Sequence, residues 1–133
     1  MFRQGQIRPG AINDEIEITL AGGDRIVAVI TQESTKSLGL TVGGDAIALI
    51  KAPWVILSVP NAGVKLSTRN RLEGSVKLIK PGAVNTEVEV ALKGGETLAA
   101  IITQESANNM GLAVGSPVVA FFKASHVIVG VRA

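Results

Sequence analysis

The chain has 133 residues, 47% of them hydrophobic and 3% aromatic, with a formal net charge of +2. It carries no Cys and one His, which excludes a disulfide framework and a thiolate metal site and makes a transition-metal centre of N and S ligands very poorly supplied. The small charge excess and scarcity of stacking rings argue against a nucleic-acid surface. No apolar run approaches the roughly 18–20 residues of a membrane helix, and no secretory signal opens the chain.

Residues 1–8 read as the remnant of a strand, and Arg8-Pro9-Gly10-Ala11 as a turn or bulge. Residues 15–20 alternate strictly, with Glu15, Glu17 and Thr19 on one face and Ile16, Ile18 and Leu20 on the other. That pattern predicts a half-buried strand. Gly22-Gly23 predicts a hairpin turn, and Arg25–Ile30 the return strand. Thr31 starts a short helix as its cap, with Glu33 in the first turn where the helix dipole favours a carboxylate. Gly39 ends that helix, and Leu40 folds back on it. Ala46–Ile50 and Val55–Val59 are short strands separated by Lys51-Ala52-Pro53-Trp54, and Pro60–Lys65 is a linker.

The second half then repeats the first. Residues 1–61 laid over 73–133, a 72-residue offset without a gap, give 26 identities. Strands are predicted at Arg71–Ile79, Glu87–Leu92, Thr97–Ile102, Val118–Phe122 and His126–Val131, with a turn at Lys80-Pro81-Gly82-Ala83. A short helix, capped by Thr103, ends before Gly111. The expected fold class is all-β: tandem five-stranded Greek-key barrels of the OB type, each with one short helix. The expected domains are residues 1–60 and 65–133. Each is near the lower size limit for an independent core, so the halves are expected to pack on each other or on other chains.

Catalytic readings find little support. His126 occupies the position of Trp54 in the first copy, which points to a packing or surface position rather than a catalytic one. Glu15, Glu17, Glu87 and Glu89 read as a solvated strand face. The glycine-rich turns match neither a Walker loop nor a dinucleotide fingerprint. What remains is a set of donors at breaks between strands. Ser67, Arg69 and Asn70 open the second copy, Lys123-Ala124-Ser125 interrupts its last strands, and Thr103 stands at a helix start. Hydroxyls, a guanidinium, an ammonium and backbone amides form a donor-only inventory. Such an inventory suits a small oxyanion and not a metal cation, although the same residues also serve as ordinary caps and surface groups. Four or five charge-assisted bonds of about 1.5–3 kcal/mol each allow roughly micromolar binding after ordering costs.

These residues resemble the Mop-domain family, the molbindins, over nearly the whole chain. Ser67-Thr68-Arg69-Asn70 is similar to the family's opening Ser-Ala-Arg-Asn motif. Gly-Ala-Val-Asn-x-Glu-Val at 82–88, Ile-Thr-x-Glu-Ser at 102–106 and Lys-Ala-Ser-x-Val at 123–127 follow in family order. The first copy matches with Gly-Ala-Ile-Asn, Ile-Thr-Gln-Glu-Ser and Lys-Ala-Pro-Trp-Val. The resemblance implies OB-like barrels that bind molybdate, and often tungstate, in the cytoplasm, with no organic cofactor, no catalysis and no membrane. It implies sites between subunits of a homo-oligomer, a trimer in free-standing tandem proteins and a dimer in regulators. Carried over, Ser67, Arg69, Asn70, Lys123, Ala124 and Ser125 hold the anion, with Thr103 approaching from a neighbouring chain. Thr31, Lys51 and Ala52 are the first-copy equivalents. A weaker assignment gives backbone amides near a symmetry axis to Gly10, Ala11, Ile12 and Asn13, and to Gly82, Ala83, Val84 and Asn85.

The first copy departs from the family because it starts after the place of its own Ser-Ala-Arg-Asn. Either upstream residues are missing, or the first-copy site is incomplete, or Ser67 and Arg69 complete a site with Lys51 rather than Lys123. Pro53 replaces the Ser found at Ser125, so the two site classes are expected to differ in affinity. The first functional reading is therefore an intracellular molybdate store. The alternative is the molybdate-sensing domain of a transcription regulator or of a transporter ATPase subunit. A nucleic-acid-binding OB barrel comes third.

Overall fold

The computed structural model describes residues 2–10 and 12–132 of the chain, with side chains from Ile7 onward. The first copy contributes β1 (Phe2–Pro9), β2 (Asn13–Thr19), β3 (Arg25–Thr31), α1 (Gln32–Ser37), β4 (Asp45–Leu49), a 3-10 turn at Ala52–Trp54 and β5 (Ile56–Ser58). The second contributes β6 (Asn70–Pro81), β7 (Asn85–Leu92), β8 (Thr97–Thr103), α2 (Gln104–Met110), β9 (Pro117–Phe122), a 3-10 turn at Ala124–His126 and β10 (Ile128–Gly130). The expected mostly-β, repeated fold is the one found. The breaks predicted at Lys51 and Lys123 are 3-10 turns. Pro9 and Pro81 end strands instead of opening turns, which their missing N–H permits at a strand terminus.

The compact units cut across the sequence repeat. Unit 1 comprises Met1–Ile50 with Lys123–Ala133, and unit 2 comprises Lys51–Phe122. Unit 1 holds a sheet in the order β10-β4-β1-β2-β3, and unit 2 one in the order β5-β9-β6-β7-β8. Each copy thus gives its last strand to the other copy's sheet. The registers explain why this is permitted. Ile56, Leu57 and Ser58 pair with Phe121, Ala120 and Val119, while Ile128, Val129 and Gly130 pair with Leu49, Ala48 and Ile47. These are the same pairings shifted by one repeat, so the two donor strands are interchangeable in register.

Within unit 2, β6 is long enough to pair with β9 over Asn70–Ser75 and with β7 over Gly74–Pro81. A register shift between Val76 and Leu78 bends it, and the shift between Gln4 and Gln6 of β1 falls at the equivalent place in unit 1. At Gly74 a Cβ would collide with the Ala91 carbonyl and stand 2.8 Å from Val90 Cγ1, so only glycine lets β6 cross β7 this closely. The outer strands β8 and β5 come together in unit 2, as β3 and β10 do in unit 1, which curls each sheet into an OB-like barrel. Alternation sets the interior: Ile16 and Ile18 in unit 1 and Val88 and Val90 in unit 2 are fully buried. Thr86 shares that inner face of β7 and donates to Gln104 Oε1 at the start of α2, so its buried hydroxyl is satisfied.

Candidate functional site

The candidate residues sit where strands end. Thr103 is the N-cap of α2: its hydroxyl oxygen accepts from Ser106 N–H at 3.0 Å and its proton goes to Ser106 Oγ at 2.7 Å. Thr31 caps α1 in the same way, accepting from Ser34 N–H at 3.1 Å with the two hydroxyl oxygens 2.8 Å apart. Ser34 and Ser106 therefore belong to the hydroxyl cluster and were not singled out from sequence. The signal was present as Ser three residues after Thr in Thr-Gln-Glu-Ser. Both helices end in a left-handed glycine, with Gly111 at φ 62° and Leu112 N–H bonded to Ala107 C=O at 3.2 Å.

Lys51 and Lys123 are the N-caps of the two 3-10 turns. Trp54 N–H donates to Lys51 C=O at 2.9 Å, and His126 N–H to Lys123 C=O at 3.0 Å. The first amides of such a turn have no partner within it. Ala124 and Ser125 both keep theirs, whereas Pro53 has none to offer. Lys51 and Lys123 are exposed, Ala124 is buried and Ala52 half-buried.

Placement by unit sorts these residues. Unit 2 holds Ser67, Arg69, Asn70, Thr103, Lys51 and Ala52, while unit 1 holds Thr31, Lys123, Ala124 and Ser125. In unit 2, Ile56 and Arg71 are register partners of Phe121 on opposite sides of β9. The starts of β5 and β6 thus lie at one level. A groove of about 440 Å³ joins Val55–Leu57 to Ile101–Thr103, Ser106, Asn109 and Met110, and the 3-10 turn at Ala52–Trp54 packs on β8. Lys51 and Ala52 therefore lie near Thr103 at one end of the unit 2 barrel, and the Ser67–Asn70 bend enters β6 where Asn70 pairs with Phe122. In unit 1 the turn at Ala124–His126 packs on β3, the strand that ends in Thr31.

Not every candidate presents a free donor. Asn70 is 2% exposed and already hydrogen-bonded, so its amide shapes the start of β6 from inside. Ser67 is exposed, and Arg69 is exposed but already engaged by a partner. Gly82 N–H closes its own turn on Asn85 C=O at 2.9 Å, and Gly10 N–H donates to Asp14 Oδ1 at 3.3 Å. The carbonyls of Ile12 and Val84 accept from Gln32 and Gln104 N–H, each at 2.8 Å. The buried Asp14 stands where unit 2 has the neutral Thr86, so the Gly10–Asn13 turn carries a carboxylate that the Gly82–Asn85 turn lacks. Ala11 lies outside the described residues. The acidic strand faces form ion pairs, Glu17 with Arg25 at 3.4 Å and Glu87 with Lys80 at 3.7 Å, in which the glutamates are half-buried and the cations exposed. Among the described residues no group of three or more His, Asp or Glu side chains could hold a metal ion.

The TOBE domain family model matches residues 5–57 and 66–129. Molybdenum-pterin-binding protein MopA of Rhodobacter capsulatus is 44% identical over 119 residues, covering 90% of this chain and 45% of MopA. Molybdenum transport protein ModE of Herbaspirillum seropedicae is 39% identical over 126 residues, covering 95% of this chain and 47% of ModE. The chain spans less than half the length of these curated relatives. The crystal structure of the cytoplasmic molybdate-binding protein ModG with molybdate bound superposes with a TM-score of 0.94 at 44% identity, over 98% of this chain and 93% of that one. MopA and ModG are binding proteins by name. The chain belongs to the TOBE domain family, in its Mop or molbindin type, and carries the domain in two tandem copies.

Proposed function

We propose that this chain binds molybdate, and tungstate with similar ease, as an intact tetrahedral dianion and without catalysis, as a cytoplasmic store of the oxyanion. The reading is carried by the donor-only set within unit 2: the Lys51 ammonium, the Arg69 guanidinium, and the hydroxyls of Ser67 and Thr103. None of these groups brings a negative charge. The near full-length likeness to molybdate-bound ModG supports the choice of anion. Thr103 reaches an anion by turning its hydroxyl proton away from Ser106 while its oxygen still caps α2. Lys123, Ala124 and Ser125 with Thr31 form the second site class, which has a hydroxyl and an N–H that Pro53 denies the first. Size and donor geometry set the selectivity, so the smaller sulfate binds less tightly than molybdate. Competition calorimetry tests this: sulfate displacing molybdate at equal concentration contradicts the reading.

The chain acts as a homo-oligomer, a trimer in this reading, with neighbouring copies completing the sites. Large apolar side chains are exposed at equivalent places in both copies: Ile12 and Val84 at 75% and 73%, and Ile56 and Ile128 at 49% and 48%. Such repeated exposure suits contact with another chain. A cytoplasmic location agrees with the description of ModG, and no helix among the described residues is long and apolar enough to cross a membrane. The second reading is a molybdate-sensing domain, favoured by the match of 95% of this chain to less than half of ModE.

A further inference from the structure

The 3-10 turn that opens each candidate site is written twice, and the versions differ at their last two residues. Unit 2 has Pro53 and Trp54 where unit 1 has Ser125 and His126. On donor count alone the unit 2 turn is the poorer anion site. Yet Lys51 Nζ lies 5.0 Å from the centroid of the Trp54 ring, within the roughly 6 Å of a cation–π contact. The turn itself produces this contact. Trp54 N–H bonds to Lys51 C=O, and side chains three apart in a 3-10 turn eclipse one another. Lys51 is exposed and without a fixed neighbour would sample many rotamers, which an anion would then have to order.

We propose that Trp54 is the positioning residue of the unit 2 site. It holds the Lys51 ammonium ordered before the anion arrives and so offsets the donors that Pro53 removes. An ammonium has three N–H groups, so one face can rest on the ring while the others meet the anion. The inference rests on the oxyanion reading above, with molybdate as the probe. It assigns to Trp54 a role that acts through Lys51 and needs no contact between the indole and the anion.

The test uses the full chain as wild type, Trp54→Ala, Trp54→Phe and Lys51→Met, each titrated with molybdate by calorimetry. Trp54 is the only Trp in the chain, so its emission reports on this turn alone. Trp54→Ala is expected to weaken one class of site about two- to fivefold, the range of an exposed cation–π contact. Trp54→Phe, which keeps a ring face, restores binding to within about twofold of wild type on the same basis. Molybdate shifts Trp54 emission in the wild type, and Lys51→Met abolishes that shift. Trp54→Ala binding as tightly as wild type, or more tightly, overturns the inference, since the ring then only competes for the ammonium. Survival of the emission shift in Lys51→Met overturns it too. Absence of binding by the wild type is a separate outcome, which sinks the oxyanion reading and this inference with it.

Discussion

In the proposed site Thr103 has two duties on one oxygen, helix capping and anion binding, and substitution separates them. Thr103→Ser keeps the hydroxyl and leaves both helix capping and anion binding near wild type. Thr103→Ala removes the acceptor for Ser106 N–H and lowers stability by about 0.5–2 kcal/mol, with weaker molybdate binding. Thermal melts beside titrations check both. Another expectation concerns Glu73. The Lys93 ammonium at 2.7 Å, and behind it Arg71 at 3.3 Å, hold its carboxyl below the usual 4.5. A carboxyl lowered by folding adds stability above its unfolded value that is lost as pH falls through the folded one. The contribution is therefore intact at neutral pH and disappears in the acid range below 4.5. Because the carboxyl lies at the surface, salt screens it. Acid melts of Glu73→Gln are expected to converge with wild type at low pH, and the neutral-pH gap to shrink in high salt. Hydroxyls and cations were legible at this scale because donor-only chemistry shows in residue type. The interior placement of Asn70 was not, because a donor in a motif reads the same whether it faces a ligand or the core.

Elements were the most legible level, because alternation at residues 15–20 and 87–92 and the paired glycine turns have periods that only strands and hairpins satisfy. The helix ends were legible for a similar reason: Gly39 and Gly111 adopt left-handed φ values of 65° and 62°. Gly111→Ala forces a Cβ into that conformation and is expected to cost about 1–2 kcal/mol, measured by denaturant midpoint. Gly74 closes the Ser-Thr-Arg-Asn-x-Leu-x-Gly motif at 67–74, but its packing constraint was not legible, since a glycine inside a strand announces no particular neighbour. Its constraint comes from the Ala91 carbonyl on β7. Gly74→Ala is expected to cost about 1–3 kcal/mol as an overpacking change and to disturb β6 pairing more than molybdate contacts.

For the whole molecule, the tandem repeat foretold two similar barrels but not which strand completes which. Equal registers for β5 and β10 make self-completion and exchange equivalent in local pattern, and a 3-10 turn leads into each exchanged strand. Those turns also carry Lys51 and Lys123, so each candidate site sits on the segment that passes a strand to the other unit. Loss of residues 127–133 is accordingly expected to open the sheet of unit 1. Hydrogen exchange would then show β4 amides losing protection while β9, which adjoins the deletion in sequence, keeps its partner β5. The central claim is that Arg69 and Lys51 in unit 2 help hold an oxyanion completed by a neighbouring copy. It is tested most directly by calorimetric titration of the full chain with molybdate, wild type beside Arg69→Ala, with oligomer mass determined in the same buffer. The account predicts binding at micromolar concentration or tighter by an oligomer, weakened about tenfold or more in Arg69→Ala, a loss of about 1.4 kcal/mol. A folded monomer, or an Arg69→Ala titration superimposable on wild type, would contradict it.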